Sequence, residues 1–171
     1  MKFMKADLSH LDRIWEITLQ AKAQLKRMQV DQWQKGEPSY EGWKANIASG
    51  AAWIATEDDH VLGTYVFQTG EDPAYTAIDG SWLTRQDYVS IHRVCVADSV
   101  KGQGVAGEMF AHAFTMAKKM GIFSVRIDTH PENIPMQHAL KKAGFVYCGT
   151  IILRGGNEDG DLRIAFEYLI S

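Results

Sequence analysis

The chain has 171 residues, 46% of them apolar and 23% charged, with a formal net charge of −3. That length suits one domain, residues 1–171, burying roughly 70% of the surface its unfolded chain would expose, and the composition excludes a disordered or fibrous protein. Scattered Lys and Arg leave no basic patch for nucleic acid, and no apolar run approaches the ~18 residues of a membrane span.

Cys95 and Cys148 have neither the number for a disulfide framework nor a zinc-ligand spacing, so both are expected to be buried small hydrophobes and no metal site is expected. The N-terminus meets charge at Lys2 and Lys5, too early for a secretory apolar segment, which makes the cytoplasm the expected location.

In chain order, Phe3 to Ala6 reads as a short strand. Asp7 or Ser9 then caps a helix whose apolar positions Leu11, Ile14, Trp15, Leu25 and Met28 recur near helical spacing. Gly36-Glu37-Pro38 breaks the chain, and Ser39 caps a short helix from Tyr40 to Ala48 that Gly50 closes. Ala51 to Thr56 and Val61 to Gln68 read as a hairpin across Asp58-Asp59-His60, and residues 70 to 87 as a long connection. A strand over residues 88 to 96 leads into a glycine turn and a helix to Lys119. Ser124 to Thr129 is a further strand, Asn133 to Lys142 a helix stopped by Gly144, and Phe145 to Leu153 pairs with Leu162 to Leu169 across a polar, glycine-rich loop. The expected class is α/β, a mixed sheet with helices on both faces.

The most informative segment is Ile91 to Gly107, where a β-branched strand passes into Lys101-Gly102-Gln103-Gly104-Val105-Ala106-Gly107 and then a helix. Gly102 and Gly104 permit positive φ, so successive N–H groups and the first helical turn can converge on one anion. A tight connection with no ligand fits the same glycines. Gly102, Gly104 and Gly107 also satisfy G-x-G-x-x-G, with Asp128 ending a strand some 20 residues later as a dinucleotide fold requires. Five residues separate Val96 from Gly102, however, where that fold turns almost at once, and too little chain follows Asp128 for its further βα units. No Gly-Lys-Ser/Thr closes the turn, which excludes a P-loop.

Lys101-Gly102-Gln103-Gly104-Val105-Ala106 resembles the Arg/Gln-x-x-Gly-x-Gly/Ala motif of the GNAT superfamily of CoA-dependent N-acetyltransferases, with Lys101 in the Arg/Gln place. Asn133 stands where that superfamily often opens its next helix with Asn, and Gly144-Phe145 matches its closing Gly-Phe. The segment from Asp128 to Gln137 is also similar to a group of bacterial GNAT proteins.

The resemblance implies an acyltransferase that moves the acetyl group of acetyl-CoA to a primary amine of a small molecule or peptide by direct attack in a ternary complex. It implies a cleft between strands 88–96 and 124–129. Val94 and Val96 would pair with the pantetheine arm, residues Lys101, Gly102, Gln103, Gly104, Val105, Ala106 and Gly107 would hold the pyrophosphate, and Asn133 would bond the arm or shape the cleft. The Val94 N–H is the expected oxyanion donor. Asp128 and His92 are the candidate bases, with His130 a weaker third whose place beside Pro131 suits a turn.

One departure concerns the acid. The family's Tyr seven residues after the helix-opening Asn is replaced by Leu140, so Tyr147, His138 or water is left to protonate the departing thiolate. That favours an alternative function, a CoA-binding sensor or interaction module without turnover. For the acceptor pocket the expected residues are Trp33, Tyr40 and Trp82, with Tyr75 and Arg85 further possibilities; Trp43 more often belongs to the core. Glu37, Glu71 and Asp72 could attract a cationic amine. The segment Leu162 to Leu169, taken as an exposed end of the sheet, could support a homodimer.

Overall fold

The computed structural model describes residues 1–171. Its elements are β1 (Lys2–Lys5), α1 (Leu11–Arg27), α2 (Tyr40–Ala48), β2 (Ala52–Glu57), β3 (His60–Thr69), β4 (Asp79–Gly80), β5 (Val89–Val96), α3 (Val105–Lys119), β6 (Ser124–Thr129), α4 (Ile134–Ala143), β7 (Val146–Ile152) and β8 (Leu162–Leu169). All eight strands form one sheet in the order β1-β2-β3-β5-β6-β8-β7-β4. Only β5 and β6 run parallel; every other pair is antiparallel.

Local chemistry explains where the elements begin. The Asp7 carboxylate accepts the Ser9 N–H while the Asp7 N–H donates to His10 Nδ1, a reciprocal cap on a single 3-10 turn from which α1 continues. Ser39 Oγ accepts the Gly42 N–H at 2.9 Å and opens α2. Asp58 and Asp59, both at positive φ, make the two-residue turn between β2 and β3, the geometry that matches strand twist. The connection 70–87 is more structured than its composition suggests. It holds a 3-10 turn at Pro73–Tyr75 and the edge strand β4, which pairs with Thr150 and Gly149 of β7.

Alternation along the strands builds two cores. Ala55, Tyr65, Phe67, Val89 and Ile91 face α3 and α4 through Met109, Phe110, Ala113 and Leu140. Ile54, Val66 and Cys95 point the other way, onto Leu11, Ile14 and Ile17 of α1 and Trp43 and Ile47 of α2. The helices therefore cover both faces, as expected. β8 is not an end of the sheet, because it pairs with β6 on one side and β7 on the other. The reading of Leu162 to Leu169 as an exposed end of the sheet is thus corrected: both its edges are consumed within the chain.

A third packing centre lies between β6 and β8. Glu167 is fully buried and accepts from Arg126 Nε at 3.1 Å, from Ser124 Oγ and from the Leu83 N–H. Arg126 also donates to Thr84 O at 2.7 Å, and its guanidinium is clamped between the Tyr88 ring at 4.0 Å and the Trp82 ring at 4.2 Å. Removing one member of such a pair strands a charge in a dry site. Glu167→Ala is therefore expected to destabilise the fold by about 3–5 kcal/mol, measured as a shift in the urea unfolding midpoint with an unchanged slope.

Candidate functional site

β5 and β6 are joined only through Val89 with Val125 and Ser90 with Arg126. Beyond Ser90 the two parallel strands separate, leaving a cleft of about 1190 Å³ that crosses the molecule. At the same point β5 carries a bulge. His92 is opposite Val66 and Cys95 opposite Thr64, so Arg93 and Val94 together face Tyr65. Arg93 takes φ +55, a left-handed conformation that costs a non-glycine residue roughly 1–2 kcal/mol. Its side chain holds it there, donating to Asn46 Oδ1 at 2.7 Å and Glu37 Oε2 at 3.2 Å beside the Trp43 ring. Past the bulge, the β6 side of β5 has no strand beside it.

The glycine turn opens at one end of this cleft. Gly102 and Gly104 sit at φ +76 and +83, and Gly104 is the N-cap of α3. Gln103 N–H returns to Val100 O and Glu108 N–H to Gly104 O, but the N–H groups of Gly102, Gly104, Val105, Ala106 and Gly107 have no hydrogen-bond partner. A Cβ placed on Gly102, Gly104 or Gly107 would meet nothing within 4 Å. The glycines at 102 and 104 are therefore required by φ, and their open side faces the space a ligand would use. Val94, Val96, Lys101 and Asn133 line the cleft, whereas Gln103 is exposed and does not. Lys101 Nζ is held 2.7 Å from Asp98, and Asn133 caps α4 while donating to Gln32 Oε1 at 2.9 Å. Asn133 thus shapes the cleft wall by tying α4 to the segment between α1 and α2.

The other end gathers charged side chains. Asp128, at the end of β6, is half-buried and accepts the Tyr75 hydroxyl at 2.7 Å. Burial pushes its carboxyl above the usual carboxylate range. His92 Nε2 lies 3.0 Å from Asp72 Oδ2, outside hydrogen-bond alignment. Burial acts to raise the Asp72 carboxyl, but the facing imidazole and the Ala74 N–H together outweigh it and hold that carboxyl below its ordinary value. Thr129 Oγ1 is buried and unpartnered at the same end. Glu158 Oε2 accepts both the Trp33 N–H and Arg163 Nη2, each at 2.9 Å, joining two loops over the cleft. No group of three or more His, Cys, Asp or Glu is arranged to hold a metal ion, and no helix is long and apolar enough to cross a membrane.

The model of the acetyltransferase (GNAT) family matches residues 13–145. The chain belongs to the GNAT family. A GNAT acetyltransferase from Streptococcus agalactiae superposes with a TM-score of 0.90 at 29% identity, covering 99% of this chain and 95% of that one. An acetyltransferase from Bacillus subtilis in complex with CoA has the same fold, with a TM-score of 0.64 at 16% identity over 99% and 97% of the two chains. A ribosomal-protein-alanine N-acetyltransferase from Brucella melitensis shares it too, with a TM-score of 0.67 at 14% identity over 99% and 100%. No curated protein matches the chain significantly. Family and fold give acetyl transfer as the general reaction class, and members of the family bind acetyl-CoA or CoA.

Against this GNAT frame the expected acceptor residues divide. Trp33 lines the cleft, but Tyr40 and Trp82 do not. Tyr40 is on the outer side of α2, where its hydroxyl donates to Asp12 and its ring packs on Trp15. Trp82 lines a separate cavity, donates Nε1 to Tyr75 O and packs against Arg126. Trp43 is core. His130 Nδ1 accepts the Glu132 N–H in the turn before α4, and neither it, Tyr147 nor His138 lines the cleft. Leu140 is fully buried between α4 and the sheet, so the position where many GNAT enzymes carry Tyr is packing here. Sequence reasoning missed Gln32, Thr129, Glu158 and Arg163 as cleft-lining residues. Glu158 and Arg163 fall in or beside a loop whose glycines disguise its long-range contacts.

Two outcomes follow from this geometry. Gly104→Val should raise the calorimetric Kd for CoA at least about ten-fold, because a β-branched residue resists φ +83, while circular dichroism shows the fold retained. Asp128 behaves oppositely to a salt-bridged carboxylate. Its raised value means that the native state holds a proton the unfolded chain releases, so stability is lost as pH rises from the ordinary carboxylate value through the raised one. Asp128→Asn should therefore melt higher than the parent at pH 7, with the gap closing below about pH 4.

Proposed function

We propose that residues 1–171 act as one catalytic unit, an N-acetyltransferase that carries the acetyl group of acetyl-CoA to a primary amine of a small molecule or peptide by direct attack in a ternary complex. The observation that carries this proposal is the continuity of one cleft. Its lining runs from the unpartnered amides of residues 102 to 107, past the bulge at Val94, to His92 and Asp128.

Each part answers a need of the reaction. The free amides after Lys101 would neutralise the diphosphate, and the unpaired edge of β5 from Val94 to Val96 would accept the pantetheine arm as if it were a strand. The Val94 N–H, at the bulge, would stabilise the oxyanion of the tetrahedral intermediate, a task worth several kcal/mol in such sites. The amine nitrogen donates its lone pair to the thioester carbonyl carbon, and collapse of the intermediate breaks the carbon–sulfur bond. The proton lost by nitrogen passes to Asp128 or His92, and sulfur leaves with the bond pair and takes a proton from water. Asp128 suits the task because a carboxylate raised by burial is a stronger base than one in water.

Leu140 supports a second reading, a CoA-binding sensor that has lost turnover, since it places no phenol at the position of the family's usual acid. Thiol release from acetyl-CoA in the presence of a panel of primary amines, with product mass measured, separates the two. Acetylated amine is expected. Tight CoA binding with transfer to no amine would establish the sensor. In single-turnover experiments Asp128→Asn and His92→Ala are each expected to slow transfer, by about 100-fold for the group that acts as base. Unaltered rates in both variants would leave water as the base.

A further inference from the structure

The two candidate bases come from different strands, yet their partners come from one turn. Asp72 and Tyr75 bracket the 3-10 turn Pro73–Tyr75 in the connection before β5. Asp72 Oδ1 accepts the Ala74 N–H at 2.9 Å, which closes the turn, while its Oδ2 lies 3.0 Å from His92 Nε2. Tyr75 donates its hydroxyl to Asp128 Oδ2 at 2.7 Å, and its ring lies nearly parallel to the His92 imidazole at 6.2 Å. Asp72 and Tyr75 thus face His92, and Asp128 is close enough to interact with it by charge. Tyr75, His92, Asp72 and Arg163 act on Asp128.

The turn is itself fastened at both ends to the buried ion pair behind the site. The Asp72 N–H donates to the Tyr88 hydroxyl at 2.7 Å, and Tyr75 O accepts Trp82 Nε1 at 2.9 Å. Tyr88 and Trp82 are the two rings that clamp Arg126, which Glu167 neutralises. Tyr75 is fully buried and does not line the cleft, so its hydroxyl reaches the reacting atoms only through Asp128.

We propose that Asp72 and Tyr75 are positioning residues for acetyl transfer. Asp72 orients the His92 ring, and Tyr75 occupies one oxygen of Asp128 so that the other is directed at the acceptor amine. The inference rests on the reading of His92 and Asp128 as the groups that take the amine proton, and it adds that their geometry is set by a single turn rather than by their own strands.

Shape-conserving variants test it. Asp72→Asn keeps an oxygen to cap Ala74 but removes the charge facing His92; Asp72→Ser is a second version, with a capping oxygen too short to reach the imidazole. Tyr75→Phe keeps the ring and deletes the hydroxyl. Each is expected to lower kcat at least about ten-fold with the KM for acetyl-CoA and the calorimetric CoA affinity unchanged. In a His92→Ala background, Asp72→Asn should cost nothing further, and in an Asp128→Ala background Tyr75→Phe should cost nothing further, because each acts through the group already removed. Effects that multiply in those backgrounds, or a raised KM with kcat intact, would overturn the positioning role while leaving the two bases in place. If His92→Ala and Asp128→Ala themselves leave kcat unaltered, the base assignment fails, and the positioning role falls with it.

Discussion

The site exists because two parallel strands stop pairing. β5 and β6 share a register for only two residue pairs before they part, and an unpaired strand edge inside a sheet is a costly arrangement unless something satisfies its amides. The separation coincides with the bulge at Arg93, where an arginine is held in a left-handed conformation by Asn46 and Glu37. Strain of that kind persists only where surrounding contacts over-determine it. Here those contacts reach from α2 and from the segment before it, so both help to keep the strand bent.

The rest of the site hangs on a second constraint, the charge pair buried between β6 and β8. Glu167 has no exposure, and its acceptors are filled by Arg126, Ser124 and the Leu83 amide. A buried ion pair of this sort is a weak source of stability compared with apolar packing, but its directional bonds make alternative arrangements expensive. The Arg126 guanidinium fixes Trp82 and Tyr88 on its two faces, and those rings carry the connection that brings Asp72 to the cleft and Tyr75 to Asp128. Structure and chemistry are therefore linked across the sheet through aromatic rings rather than through the backbone of a single element.

At the charged end of the cleft the ionisable side chains lie in facing pairs. Arg93 faces Glu37, Arg163 faces Glu158 and His92 faces Asp72. Asp128 alone has a neutral phenol as its hydrogen-bond partner, and its burial opposes ionisation. A carboxylate in this position weakens the fold at neutral pH, a cost that the proposed role of Asp128 as base would explain.

Much of this was legible from the residues alone. The order of elements, the glycine turn, the helix caps at Ser39 and Asn133 and the stop at Gly144 all depend on local φ preferences and side-chain-to-backbone bonds, which neighbouring residues decide among themselves. The positive φ of Gly102 and Gly104 before α3 could be anticipated for the same reason. Tertiary structure alone decided the charged end of the cleft. It set β8 in the interior between β6 and β7, sent Tyr40 and Trp82 away from the cleft, and made Leu140 a core residue. It also brought Glu158 and Tyr75 to partners distant in sequence, Glu158 to Trp33 and Tyr75 to Asp128. Those placements follow from strand order and from buried charges finding partners across the sheet. Neither leaves a periodic trace along the chain, so only the folded arrangement could supply them.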